Sequence, residues 1–424
     1  MEGFCMKKFL LALALLGLLL CFANCGKANT LTVYVVDTEP LYVRAVDRFA
    51  SDNPDINLEI EKFSNYEEMN DRLNTELMSG KGPDVLLLNS NQSDSDPLKL
   101  SQSGTFLALD GYMRELDEAD YFSPMMNAGK LDGTQYFLPL SWNVLQAYCG
   151  EDVAGEVNLD QLFDAFRQES ERLKSDESMA VSSIQISRAD LTNYFLETAG
   201  VILTDGKMVT VDKEQFAEVS TFTKMFYENL PQIRVITNRY SNDLAGVMAH
   251  VSFLLEDYSM PNTIRYYQSV YPNFVGKNAT VSFFPQFDGG MTAQIVHYGA
   301  INASTEMQDE AWALLRYVFQ QECSMSFGKY DAAVYYAPVT VTGYEDCLEG
   351  LCSEGVSGTA IKPMNQENRE LLTAVTERIT DAVIPNRVLG SIVEESMMPY
   401  YQGSADFDSC YENMIQKVNL YLSE

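Results

Sequence analysis

Residues 31–88 decide the fold. The stretch opens with Leu31-Thr-Val-Tyr-Val-Val36, passes through Phe49-Ala-Ser-Asp-Asn-Pro-Asp-Ile56, and closes on Gly80-Lys-Gly-Pro-Asp-Val-Leu-Leu-Leu88. The first run is short, apolar and rich in β-branched residues, which marks a buried strand. Tyr42, Ala45, Val46 and Phe49 then fall at helical spacing, and Asn53-Pro54 stops that helix. Ile56, Leu58 and Ile60 alternate with polar residues as a second strand. Ser64-Asn-Tyr-Glu67 has the form of a capping box, opening a helix with Met69, Leu73 and Leu77 on one face. Gly80 ends this helix, and Gly82-Pro83 turns the chain into a third strand. The order βαβαβ specifies a parallel sheet covered by helices, with ligands at the carboxyl ends of the strands.

Further along, residues 158–280 are mainly helical in pattern, with short strand candidates at Met208–Val211 and Val247–Leu255. Strands return at Val281-Ser-Phe-Phe284 and from Gln294 to Ile301. Thr305-Glu-Met-Gln308 caps a helix that turns Ala311, Trp312, Leu315, Val318 and Phe319 inward. A last amphipathic helix carries Phe407, Tyr411, Met414, Val418 and Tyr421. No internal repeat or flexible linker interrupts the chain.

A chain of 424 residues with 46% apolar content supplies two hydrophobic cores rather than one. Its 60 acidic and 29 basic residues give a net charge of -31, which repels a phosphate backbone or an anionic membrane surface. Nucleic acid is therefore not an expected partner. Met6-Lys7-Lys8 precedes an uncharged run from Phe9 to Phe22 and then Ala23-Asn24-Cys25-Gly26, the pattern of an export signal. The segment ending at Cys25 resembles a bacterial lipobox, in which the cysteine becomes the lipidated first residue. It departs from that pattern at Asn24, where a small residue is usual, and at Phe22 in place of Leu. A signal peptide over 1–24 and a lipidated tether over 25–28 are expected. The plainer alternative is a secreted protein in which Cys25 is a bystander.

Beyond Cys25 stand Cys149, Cys323, Cys347, Cys352 and Cys410, an odd number, so no disulfide framework carries the fold. Cys347 and Cys352 lie close together in a Gly-containing stretch and are the expected pair. No Cys/His cluster has zinc spacing. Asp94-Ser-Asp96 lacks the glycine a calcium loop needs, and Gly80-Lys-Gly-Pro-Asp84 lacks the Gly-Lys-Ser/Thr ending of a phosphate loop. No metal or cofactor is expected. His250 and His297 lie among apolar neighbours and read as satisfied core residues. No spacing singles out a pair of catalytic carboxylates, and no enzyme activity is expected.

In order along the chain, several segments resemble the extracellular solute-binding proteins of sugar transporters of the ABC type, the group that includes maltose-binding protein. They are Phe49–Ile56, Leu77-Met-Ser-Gly-Lys-Gly-Pro-Asp-Val85, Leu131-Asp-Gly-Thr-Gln-Tyr-Phe-Leu-Pro139, Gly289-Gly290 leading to Glu310-Ala-Trp-Ala-Leu-Leu315, and Tyr400-Tyr-Gln-Gly403 with Asn413–Leu422. The resemblance implies an α/β, two-lobed periplasmic-binding-protein-like fold, each lobe a mostly parallel sheet flanked by helices, joined by a multi-strand hinge. It places 29–138 with 284–334 in a first lobe, and 139–283 with 335–424 in a second, more helical one. It also implies a carbohydrate or other small polar solute captured between the lobes, permease subunits as partners, and a monomer tethered outside the cytoplasm.

Solute capture needs polar groups at strand ends and flat aromatic faces for sugar rings. Asp37, Thr38 and Glu39 end the first strand and Asn89 and Ser90 the third; the alternative is that they only cap turns. Trp142 follows Leu138-Pro-Leu-Ser141, where the resemblance puts the first hinge, and is expected to stack on the ligand. Tyr335 and Tyr336 correspond to a later crossing, with Ser252 and Gly290 as weaker correspondences. Trp312, on an apolar helix face, is expected in the core. Two other readings stand beside capture. One is a secreted glycoside hydrolase, and the other a surface lipoprotein of this fold without a transported ligand.

Overall fold

The computed structural model describes residues 30–93, 96–149, 280–287, 289–321, 336–353 and 361–423. It also describes shorter pieces at 163–164, 167, 180–183, 202–204, 209–228, 251–256, 264–265 and 268–269. The export segment and Cys25, Tyr335, His250, and Asp94 lie outside the described residues.

The chain begins with strand β1 (Leu31–Val36), helix α1 (Pro40–Asp52), strand β2 (Leu58–Phe63), helix α2 (Tyr66–Met78) and strand β3 (Val85–Asn89). β1 pairs in parallel with both β2 and β3, as the alternation requires. The cap of α2 falls one residue later than the box predicts. Asn65, not Ser64, accepts the backbone N–H of Glu68 at 2.9 Å, while Glu68 reaches back to the N–H of Ser64. Asn is at least as good an N-cap as Ser, so local competition decides the register. Past α2, Gly80 and Gly82 take φ of 68° and 113°, which L side chains avoid. Asp84 then accepts the N–H and the hydroxyl of Thr32 at 2.7 and 2.8 Å. The Gly-Pro-Asp turn thus clamps the start of β3 beside the start of β1.

A short helix α3 (Pro97–Gln102) leads toward strand β4 (Leu138–Asn143), which is buried along its whole length. The chain continues into β5 (Gln146–Cys149), and β6 (Ala180–Ser183), helix α4 (Lys213–Glu228), β7 (Val251–Glu256) and β8 (Thr280–Phe283) follow. After them come β9 (Met291–Ile301), α5 (Gln308–Gln321), β10 (Ala337–Pro338), α6 (Val341–Ser353), α7 (Gln366–Arg378), β11 (Ile379–Val383), α8 (Arg387–Tyr401) and α9 (Phe407–Ser423).

Two principal sheets result. The first has seven strands in the order β10-β4-β9-β3-β1-β2, with β11 also on β9; the second has four in the order β8-β5-β7-β6. β9 runs antiparallel to β3 and β4, because it returns from the second sheet, and all its residues are buried. The chain crosses between sheets at Val144-Leu145, where Val144 packs into the first core and Leu145 into the second, and again between Phe284 and Met291. The first crossing therefore lies beyond the expected hinge at Leu138–Ser141. Those four residues are strand: Leu138, Pro139 and Ser141 pair with β9, and Ser141 also with β10.

The lobe boundary expected at residue 335 also moves. Ala337, Val339, Tyr344, Leu348, Leu351, Leu372, Val375 and Ile379 belong to the first core, and among the described residues that follow them α8 and α9 join the second. Cys347 and Cys352 are free thiols. They sit five residues apart on α6, which points their side chains to different sides of a helix, and Cys347 faces the core.

Candidate functional site

Alternation along neighbouring strands builds a polar row in the first sheet. His297 of β9 stands in register with Asn89 of β3 on one side and Ser141 of β4 on the other. Residues in register share a face of the sheet, so three distant segments present an amide, an imidazole and a hydroxyl side by side. Onto this face the start of α1 lowers Glu39, and α2 contributes Tyr66.

The contacts are specific. Glu39 Oε1 accepts from Asn89 Nδ2 at 2.8 Å and from the Tyr66 hydroxyl at 3.1 Å. Its Oε2 lies 3.3 Å from His297 Nε2, and His297 Nδ1 is 2.7 Å from Ser141 Oγ. The rings of Tyr42 and Tyr336 stand edge-on to the imidazole, at 5.2 and 5.1 Å between centroids. Burial pushes the Glu39 carboxyl up, but the charge and hydrogen bond of His297, with the bonds from Asn89 and Tyr66, together hold it below the usual carboxylate range. Burial, followed by the neighbouring Glu39 charge, pushes the Tyr66 phenol well up. Glu39 is the member that reaches the surface, with 14% of its side chain exposed. It does so at the carboxyl end of β1, the end from which the chain passes to the second sheet.

Among the residues singled out from sequence, Glu39, Asn89 and Tyr336 are thus brought together. Asp37 and Thr38 lie exposed in the same turn. Ser90 is buried, donating its hydroxyl to the carbonyl of Ile295 at 2.8 Å. Gly290 lies in the second crossing, its carbonyl accepting from the Gln286 N–H. Ser252 is on β7, at the register shift in its pairing with β6. Trp142 requires a correction. It is 0% exposed, its indole N–H donates to the Pro338 carbonyl at 2.9 Å, and its ring packs 5.6 Å from that of Tyr344 on α6. Period-two geometry turns Ser141 toward the polar row and therefore Trp142 to the opposite, covered face. Trp312 is in the core as expected, donating to Glu115 at 3.1 Å.

Sequence reasoning passed over Ser141 and Tyr66 and read His297 only as core. The available signal was a lone histidine inside a largely apolar strand, since a buried imidazole demands partners. A cavity of about 450 Å³ lies at the other end of the first sheet, lined in part by Gly80, Lys81, Ser103, Thr105, Asn302 and Ser304. It is remote from the polar row.

Residues 44–340, well over half of the chain, match the model of the bacterial extracellular solute-binding protein family. The chain belongs to that family. This solute-binding protein is 20% identical over 324 residues to a Brucella abortus (strain 2308) chain named only as a binding protein, with 72% of this chain and 75% of that one aligned. Its fold superposes on the sugar-binding protein MalE of Xanthomonas citri with a TM-score of 0.64 at 15% identity, covering 93% and 98% of the two chains. The ABC substrate-binding protein Lmo0181 of Listeria monocytogenes, in complex with cycloalternan, gives 0.63 at 12% identity over the same shares. These likenesses establish the two-lobed α/β fold, and the family is an extracellular one that binds solutes.

Proposed function

We propose that this protein captures a neutral sugar or oligosaccharide where its two sheets meet and delivers it, as a monomer, to the permease of an ABC transporter. The observation that carries the reading is the polar row capped by Glu39 and flanked by Tyr42, Tyr66 and Tyr336. Hydroxyl-binding groups beside aromatic rings, at the carboxyl ends of parallel strands, are what sugar recognition uses. The sugar-binding neighbours of the same fold support it. The lipobox-like Ala23-Asn24-Cys25-Gly26 supports a lipid tether at Cys25 outside the cytoplasm.

Ser141, His297 and Glu39 stand in the order of a hydrolytic triad, yet they support binding rather than catalysis. Ser141 is 1% exposed, in the middle of a sheet, so a scissile bond has no path to its hydroxyl. Thermal unfolding with pooled mono- and oligosaccharides is the test. A bound sugar raises the melting temperature by mass action. A flat response to all sugars overturns the reading, and so does cleavage of a glycan in the same incubations. Mass spectrometry of the mature amino terminus should show a diacylglyceryl adduct on Cys25; a free later residue rules the tether out.

A further inference from the structure

The buried histidine at the centre of the polar row has a part to play that solute contact does not explain. His297 is itself buried, and between its two nitrogens it holds one group on each side: Glu39 at Nε2 and Ser141 at Nδ1. The partners decide where its proton sits. Glu39 is an acceptor only, so Oε2 at 3.3 Å calls for a proton on Nε2; without one, two lone-pair atoms would face each other. Asn89 Nδ2 also approaches Nε2 at 3.3 Å, but its shorter bond, 2.8 Å, goes to Glu39. On the far side Ser141 can donate or accept. A neutral imidazole therefore accepts a hydrogen bond from the Ser141 hydroxyl at Nδ1, and an imidazolium donates one from Nδ1–H to Ser141 Oγ. In both states Nε2–H stays on Glu39, and no contact is lost.

Of the roughly four lone-pair positions of a carboxylate, three are occupied among the described residues, by Tyr66, Asn89 and His297. The one left over is on Oε2, and the side chain presents a 14% exposed edge. Such an edge can accept a hydroxyl proton. It offers nothing to a second carboxylate, which it repels, and more strongly in the partly desolvated surroundings of a closed site than in water. We propose that His297 is the positioning residue of the binding site, holding Glu39 as a fixed acceptor for the hydroxyls of a neutral sugar so that sugar acids are rejected. This selectivity rests on the sugar-binding reading above; the positioning role does not.

Among the described residues, the titratable groups that face the imidazole from the packed elements are Glu39 and Tyr42 of the α1 end, Tyr66 of α2 through Glu39, and Tyr336 before β10. Burial and the Glu39 charge push the Tyr66 phenol well up, so Glu39 is the group whose titration reports this cluster on the acid side. The sign follows. A carboxyl held below its unfolded value adds stability that is fully present above that value, about 4.3, and is lost as pH falls through the folded value. Removing the imidazole leaves burial as the larger influence and moves the titration of Glu39 up.

The experiment uses the full mature chain and two variants at the imidazole. In His297→Leu no donor faces Glu39 Oε2, which His297 serves in the wild type; in His297→Gln an amide N–H can. Carbon-13 NMR of the ligand-free protein, labelled at the Glu carboxyl, follows Glu39 directly. The midpoint is expected to rise in the Leu variant and to return toward the wild-type value in the Gln variant. Calorimetry with neutral disaccharides of glucose, galactose and mannose, each paired with the disaccharide carrying the corresponding uronic acid, reads selectivity. The Leu variant should bind the neutral sugar about tenfold more weakly, the loss of one hydrogen bond to a charged group, with the loss growing as pH falls from 7 to 5. Glu39→Gln should cut the preference for neutral sugar over its uronic acid by about tenfold or more.

An unchanged Glu39 midpoint in the Leu variant overturns the positioning role. So does an equal loss in the Leu and Gln variants, which would make His297 a space-filling residue. An unchanged preference in Glu39→Gln overturns the selectivity. If the wild type binds none of the neutral sugars, the function reading and the selectivity fall together, while the ligand-free titration still judges His297 alone.

Discussion

The first core is laid down on strands, whereas the second is closed by side chains from well-separated segments. In the first, β1, β3, β4 and β9 are buried nearly throughout, and helices α1, α5 and α6 cover them. In the second, the described core joins Leu145, Phe163, Phe216, Phe222, Phe284, Val393 and Met414, with the rings of Phe163 and Phe222 stacked at 4.4 Å. A strand-built core takes its order from hydrogen-bond registers, and it can host a polar row because each member meets a fixed neighbour. A core of aromatic contacts between helices has no such registers and depends on shape alone.

Both tryptophans, Trp142 and Trp312, lie in the first core, so indole emission reports that core by itself. Trp142→Ala is the strongest attack on the comparison. Truncating this buried indole should cost about 3 to 5 kcal/mol, seen as a lower urea midpoint of the remaining Trp312 emission. If stability instead holds and only sugar affinity drops, the ring faces solute after all. Phe222→Ala strikes the second core at about 3 kcal/mol. Its unfolding followed by far-ultraviolet circular dichroism should begin before the tryptophan signal moves, and coincident curves would show that the two cores unfold as one.

One link between the cores is open to a smaller test. The Tyr421 hydroxyl of α9, in the second core, donates to Asp96 at the start of α3, and Lys99 stands over the same ring. Tyr421→Phe leaves that carboxylate short of a donor and should cost about 1.5 kcal/mol, measured as a lower midpoint for both signals. A shift in the circular dichroism signal alone would confine the contact to the second core. The smallest effect sharpens the reading of α2. Asn65→Ala should cost about 1 kcal/mol and Ser64→Ala only a few tenths; the reverse order in urea titrations would return the cap to Ser64.

The elements from Leu31 to Asn89 and the closing helix were legible because their information is local. Strand runs, apolar residues three and four apart, and Gly-Pro-Asp punctuation act over a dozen residues, and tertiary packing agreed with them. The candidate site was legible in part. Glu39 and Asn89 stand at strand ends, where α/β topology puts ligands, and Tyr336 entered through family resemblance. Trp142 was misplaced by one residue of strand phase, which is enough to exchange cleft side for core.

The sequence by itself determined the βαβαβ start, the need for two cores, and a net charge of -31, since each follows from local periodicity, apolar content or a count of charged residues. Only the tertiary structure decided that Asn89, Ser141 and His297 form one row, that Glu39 is held by it, and that β10, α6, α7 and β11 return to the first core. The reason is physical. Strand registers between segments separated by 208 and 156 positions are set by which faces can be buried together, and no window of sequence contains that choice.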